Sequence, residues 1–135
     1  MKRQGLYIPR LNWEVTIYYN SDKGDAEEIL HTLDTIGCDD ETFFLAQENL
    51  RNGALNSGLT YTNAKERESV IVLSQTTSKE EFANTWFHEL IHCATHIARA
   101  LDIDLESETL AYIGGDLAMA MQPVAAHLMC PDCKD

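Results

Sequence analysis

The chain has 135 residues, of which 22 are acidic and 10 basic, giving a formal net charge of -12. That length suits one domain able to bury a core without disulfide staples, and an apolar share of 44% is ordinary for a soluble globular protein. The acidic balance excludes nucleic acid as a partner, because affinity for phosphate backbones rests on Lys and Arg neutralising them, and it disfavours anionic membrane surfaces.

No apolar run approaches the ~18 residues of a membrane span. The opening MKRQGLYIPRLNWEV carries basic residues but no apolar stretch before Pro9 and Arg10, unlike a secretory signal. A cytoplasmic location is the resulting expectation, and there the four cysteines would form no disulfide framework.

Trp13 to Tyr19 (WEVTIYY) is β-branched and aromatic and reads as a strand. A turn then leads into a helix with Ile29, Leu33 and Ile36 on one face and Gly37 as its stop. Asp39 to Gly53 reads as a second helix, with acidic residues at the end where the helix dipole favours them and Gly53 as its stop. Strands near 58–62 and 69–75, separated by the polar NAKERE, form a predicted hairpin.

A long helix, about 79–101, opens with Ser78 and Glu81 in capping-box spacing. DIDLE interrupts the pattern, and a last helix, about 105–121, is expected to end before Pro123 and leave a short CxxC tail (about 123–135). Strands and helices fall in separate runs, so the predicted class is α+β, one domain over residues 1–135 with a small sheet and four helices.

The long helix contains HELIH, residues 88–92. Residues four apart share a helix face, so His88 and His92 can turn two imidazoles to one ion at the ~2.0–2.1 Å typical of zinc. Glu89 lies beside that face, placed to reach a water on the metal without being a ligand. Zinc lowers the pKa of such a water to about 7, and a carboxylate can accept its proton as it attacks a carbonyl. Trp86, Phe87, Leu90 and Ile91 flank the motif and would anchor the helix in a core.

A catalytic zinc needs a third protein ligand and an open position. His96 is too far along the axis, about 12 Å from His88, and is expected to stand behind the ligands or play no part. The last helix offers Glu106 and Glu108. Glu108 shares its face with Ala111, Tyr112, Gly115, Ala118 and Met119, mostly small residues that would let the helices approach closely. Glu106 shares its face with the bulkier Leu110, Ile113 and Leu117, so Glu108 is favoured and Glu106 remains the alternative.

HELIH followed by Glu108 on a second helix resembles the gluzincin branch of the zincin metallopeptidases. The stretch HELIHCATHIARALDIDLESETLAYIGGDL also resembles small zincin-like proteins encoded by phages and prophages; the likeness covers about Ser69 to Asp116. It implies a minimal zincin-like fold, zinc held by His88, His92 and Glu108, and Glu89 as the base. The implied activity is peptide or amide hydrolysis on a peptide or protein substrate, in the bacterial host cytosol if the chain is phage-encoded. The strand Ser69 to Ser74 would match the edge strand that zincins place above the cleft, where an extended peptide can pair. Full-length gluzincins close the cleft with a larger C-terminal subdomain, whereas here only the CxxC tail is expected after the last helix. A zincin-like binding protein without turnover is therefore the rival expectation.

Lesser signals accompany the motif. Tyr112, one turn after Glu108, could donate to a tetrahedral oxyanion. Asp116 could orient a ligand histidine. His127, Cys130 and Cys133 lie near one another in sequence, with His31 and Cys38 as distant additions, but a closed structural zinc site needs four ligands. Cys93 reads as a small buried hydrophobe. The oligomeric state leaves no mark in the sequence.

Overall fold

A computed structural model describes residues 1–52 and 58–130. The elements run β1 (Lys2–Ile8), β2 (Trp13–Ser21), a short 3-10 turn, α1 (Ala26–Thr35), α2 (Asp40–Arg51), β3 (Gly58–Asn63), β4 (Glu68–Ser74), α3 (Lys79–Ala100) and α4 (Glu108–Met129). The α+β class holds, with one mixed sheet in the order β1-β2-β4-β3. β1 and β2 pair antiparallel, β2 and β4 parallel, and β3 and β4 antiparallel.

The sheet has helices on both faces. Trp13, Val15, Ile17 and Tyr19 of β2, with Ile71 and Leu73 of β4, pack against Leu90, Ile97, Ile113, Leu117 and Met121 of α3 and α4. The alternate residues Tyr18, Val70 and Val72 pack against Ile29, Leu30, Leu33, Ala46 and Leu50 of α1 and α2. The period of two along each strand thus feeds two separate cores. Among the described residues no helix is long and apolar enough to cross a membrane.

Three features differ from the sequence expectations. The first is β1, which reads as a strand only through its partner: Gln4, Leu6 and Ile8 alternate with more exposed residues along a line paired to β2. It is tied to α4 by Gln4 Nε2 donating to the Ala120 carbonyl at 3.0 Å. The second is the place of β4, which lies between β2 and β3, so the Ser69 to Ser74 strand is internal and β3 is the edge. The unbroken apolar run Val70–Leu73 supplies both cores, as a doubly covered strand must.

The third is α4, which runs past Pro123 to Met129 instead of ending near 121. Pro123 lies on the exposed side, and the bond it cannot make falls at Met119, itself 74% exposed, where water can meet the carbonyl. Met121, Ala125 and Leu128 continue the buried stripe begun by Ile113 and Leu117, and that burial outweighs the cost of the proline. The expected tail therefore begins with helix, while Cys133, like the predicted stop Gly53, lies outside the described residues.

Both helix ends that shape the site follow local rules. Ser78 Oγ accepts from the Glu81 amide at 3.0 Å, while the Glu81 carboxylate takes the Thr77 hydroxyl, so the box closes one residue early. At the other end Asp102 adopts φ 56°, its amide donates to the Arg99 carbonyl, and the Ile103 amide donates to that of Ala98 at 2.8 Å. This left-handed cap ends α3 and returns the chain along α4.

Candidate metal centre

α3 buries Phe82, Thr85, Glu89, Leu90, Cys93, Ala94, Ile97 and Ala98 and leaves His88 and His92 exposed. The burial of Glu89 is the unusual element, because it places a carboxylate, 3% exposed, on the packed side of the helix. The two histidines stand on the adjoining ridge with their Nε2 atoms 3.2 Å apart and their ring planes at 75°.

Two nitrogens on one tetrahedral ion at ~2.0–2.1 Å lie about 3.3 Å apart, so the pair is already set at ligand spacing. Glu89 Oε2 lies 4.0 Å from His88 Nε2. The ligand atoms of His88, Glu89 and His92 all fall within 4.8 Å of one another, and this group can hold a metal ion. In the metal-free protein the same geometry allows one imidazole N–H to donate to the other ring.

The edge strand β3 supplies what HELIH does not show. Register with β4 turns Gly58, Thr60 and Thr62 to the α3 face, opposite Leu73, Ile71 and Ser69. Thr60 Oγ1 donates to Glu89 Oε1 at 3.0 Å and lies 3.2 Å from the Glu89 backbone carbonyl. Gly58 lies flat against the same side chain. Neither residue stands out in the sequence; their signal is an alternation of small and hydroxyl side chains along a strand whose neighbour carries the apolar run Val70–Leu73.

One turn beyond His92, His96 Nδ1 shares a 3.0 Å hydrogen bond with Thr62 Oγ1. Thr62 in turn contacts Ser69 Oγ at 2.7 Å, which accepts from Trp13 Nε1 at 3.0 Å. His96 is thus a link between α3 and the sheet. Burial lowers its pKa first, and the charges of His92 and Arg99 lower it further. Cys93 is fully buried, and burial pushes its thiol up to about 12.

In front of the histidines is a cavity of about 380 Å³ lined by Asn84, Phe87, His88, Ile91 and His92. Phe87 and Ile91 also line a mostly apolar groove of about 540 Å³ between α3 and α4. The small face of α4 was expected to bring the helices close. Ala111, Gly115 and Ala118 of that face line the groove, and Gly115 has nothing within 4 Å of a would-be Cβ.

The sequence-predicted residues divide accordingly. His88, Glu89 and His92 come together. Glu108 is the first residue of α4 and is exposed, and Glu106 lines the groove; neither belongs to the group around the histidines. Tyr112 is 60% exposed on α4 and is not part of the histidine cavity wall. Asp116 is engaged by Arg10 from the β1–β2 turn, not by a histidine. Among the described residues His127 with Cys130, and His31 with Cys38, form no further metal-holding group.

Compared with known proteins, the chain matches no protein-family model, no curated protein and no solved structure, so the metal-holding geometry of His88, Glu89 and His92 rests on the residues themselves.

Proposed function

We propose that the protein is a zinc-dependent hydrolase of the metallopeptidase type, cleaving a peptide or other amide bond in an extended peptide or protein substrate. The observation that carries this reading is two Nε2 atoms 3.2 Å apart beside a buried carboxylate whose second oxygen lies 4.0 Å from one of them. Zinc, when bound, supplies a Lewis acid for the substrate carbonyl and acidifies its water.

His88 and His92 hold the ion. Glu108 is the proposed third ligand, a role supported by the gluzincin resemblance and by its exposed place at the start of α4. Glu89 accepts the proton of the attacking water on Oε2, the oxygen that Thr60 leaves free, and returns it to the leaving amine. An extended substrate pairs its backbone with the open edge of β3, the strand bordering α3. Tyr112 is the proposed donor to the developing oxyanion. The protein works in the cytoplasm, that of a bacterial host if the chain is phage-encoded; the free thiols of Cys38 and Cys93 support this.

Protein expressed with zinc should carry about one ion per chain. It should cleave a quenched fluorescent peptide library and stop when a chelator is added. Glu89→Gln should keep the ion and lose the cleavage; loss of metal in that variant would remove Glu89 from the role of base.

A second reading is a metal-holding binding protein without turnover, of the accessory kind found in phages. It is favoured by the membership of the donor group, which includes neither Glu106 nor Glu108. Bound zinc with no cleavage across the library would support it.

A further inference from the structure

The structure assigns a positioning role to Thr60: its hydroxyl holds the Glu89 carboxylate off the metal and so keeps that residue a base instead of a ligand. This rests on the reading of His88 and His92 as the metal clamp. The chemistry of the residues alone does not decide between the two roles, because a carboxylate oxygen can ligate zinc as well as take a proton from its water.

Glu89 is within easy reach of the ion. Its Oε2 stands 4.0 Å from His88 Nε2 and the ligand atoms of the group lie within 4.8 Å of one another, so a swing of about 1.5 Å would bring it to the separation of about 3.3 Å that two ligands of a tetrahedral ion share. A carboxylate that made this move would fill the position the substrate carbonyl needs, and could no longer take a proton from water.

Two contacts from the sheet edge oppose the swing. Thr60 Oγ1 donates to Oε1 at 3.0 Å, fixing one oxygen and leaving the other free. Gly58 closes over the methylenes, with a would-be Cβ only 2.9 Å from Glu89 Cγ. The donor is itself held, since Thr60 pairs with Ile71 of the interior strand β4 and the next residue on its face, Thr62, is bonded to His96. Hydrogen bonds to a charged group are among the stronger ones in proteins, and this one is sheltered from water.

The test is cobalt(II) binding, measured by competition with a chromophoric chelator and by the visible ligand-field spectrum. Wild-type protein is compared with Thr60→Ser, Thr60→Val, Thr60→Ala and Thr60→Val combined with Glu89→Gln. Losing the hydroxyl should free Glu89 to bind, so Thr60→Val and Thr60→Ala should hold cobalt about tenfold tighter or more, with ligand-field bands shifted as a carboxylate replaces solvent in the open position. Thr60→Ser should match wild type, and the double variant should lose the gain.

Unchanged affinity and spectrum in both Thr60→Val and Thr60→Ala overturn the role of Thr60 while leaving the metal site standing. A gain that persists in the double variant overturns it too. Wild-type protein that takes up no cobalt overturns the metal reading itself, and this inference with it. The alanine variant guards against misfolding from the valine, and each variant's urea midpoint shows that the compared proteins are folded.

Discussion

Gly58 and Glu89 meet with no room between them. A Cβ built at position 58 would stand 2.9 Å from Glu89 Cγ and 2.5 Å from the Val72 carbonyl oxygen. The sheet edge and the HELIH helix therefore touch at the residue on which the proposed chemistry depends. Gly58→Ala must push β3 away from both, which should cost about 1–3 kcal/mol as overpacking does. It should also depress peptide cleavage while zinc content stays near one per chain. Urea unfolding, metal analysis and turnover on one preparation check the three parts.

The histidine pair predicts a sharp loss on truncation. Each ring supplies one of two donors already at ligand spacing, so His88→Ala or His92→Ala should weaken zinc binding by more than about 100-fold. Both rings are exposed, so the same variants should unfold at nearly the wild-type urea concentration. Chelator competition and urea titration separate the two effects.

The third ligand can be assigned by comparing two neighbouring carboxylates. Glu108→Ala should reduce zinc affinity about tenfold or more, whereas Glu106→Ala should leave it within about twofold. Equal affinity in both variants would leave the histidines with Glu89 as the whole donor set and favour the binding-protein reading.

His96 makes stability depend on pH. Its pKa is lowered in the folded state, mainly by burial and then by His92 and Arg99, from an ordinary 6.5. The unfolded chain therefore takes up a proton at higher pH than the folded one. The stabilisation is complete above pH 6.5 and is lost as pH falls through the folded-state pKa. Urea midpoints should drop between pH 7.5 and pH 5.5, and His96→Gln should show a smaller drop.

Cys93 should be inert in the native protein. It is 0% exposed and its thiol is pushed up to about 12, so at pH 8 it is neither accessible nor ionised. Alkylation followed by mass spectrometry should leave Cys93 unmodified in buffer and modified in urea.

What could be read from the sequence was what local geometry determines. The long helix follows from Ser78 at its start and an apolar stripe along its length, and a helix of any provenance sets residues 88 and 92 on one face. The helix α1 ended at Gly37 as expected, with φ at 80°.

The rest was decided by partners distant in the chain. β1 exists because β2 offers it a ladder, and α4 passes Pro123 because the core beyond rewards Ala125 and Leu128 for staying helical. Which strand forms the edge depended on the parallel pairing of β2 with β4, a contact across some fifty residues that no short pattern encodes. The hydroxyl that steadies Glu89 arrives the same way, from a residue 29 positions earlier that reaches it only once the edge strand lies against α3. Sequence alone determined that His88 and His92 share one face, because a helix fixes its own spacing; only the tertiary structure decided what stands beside them, because strand pairing and packing act between segments that the chain keeps far apart.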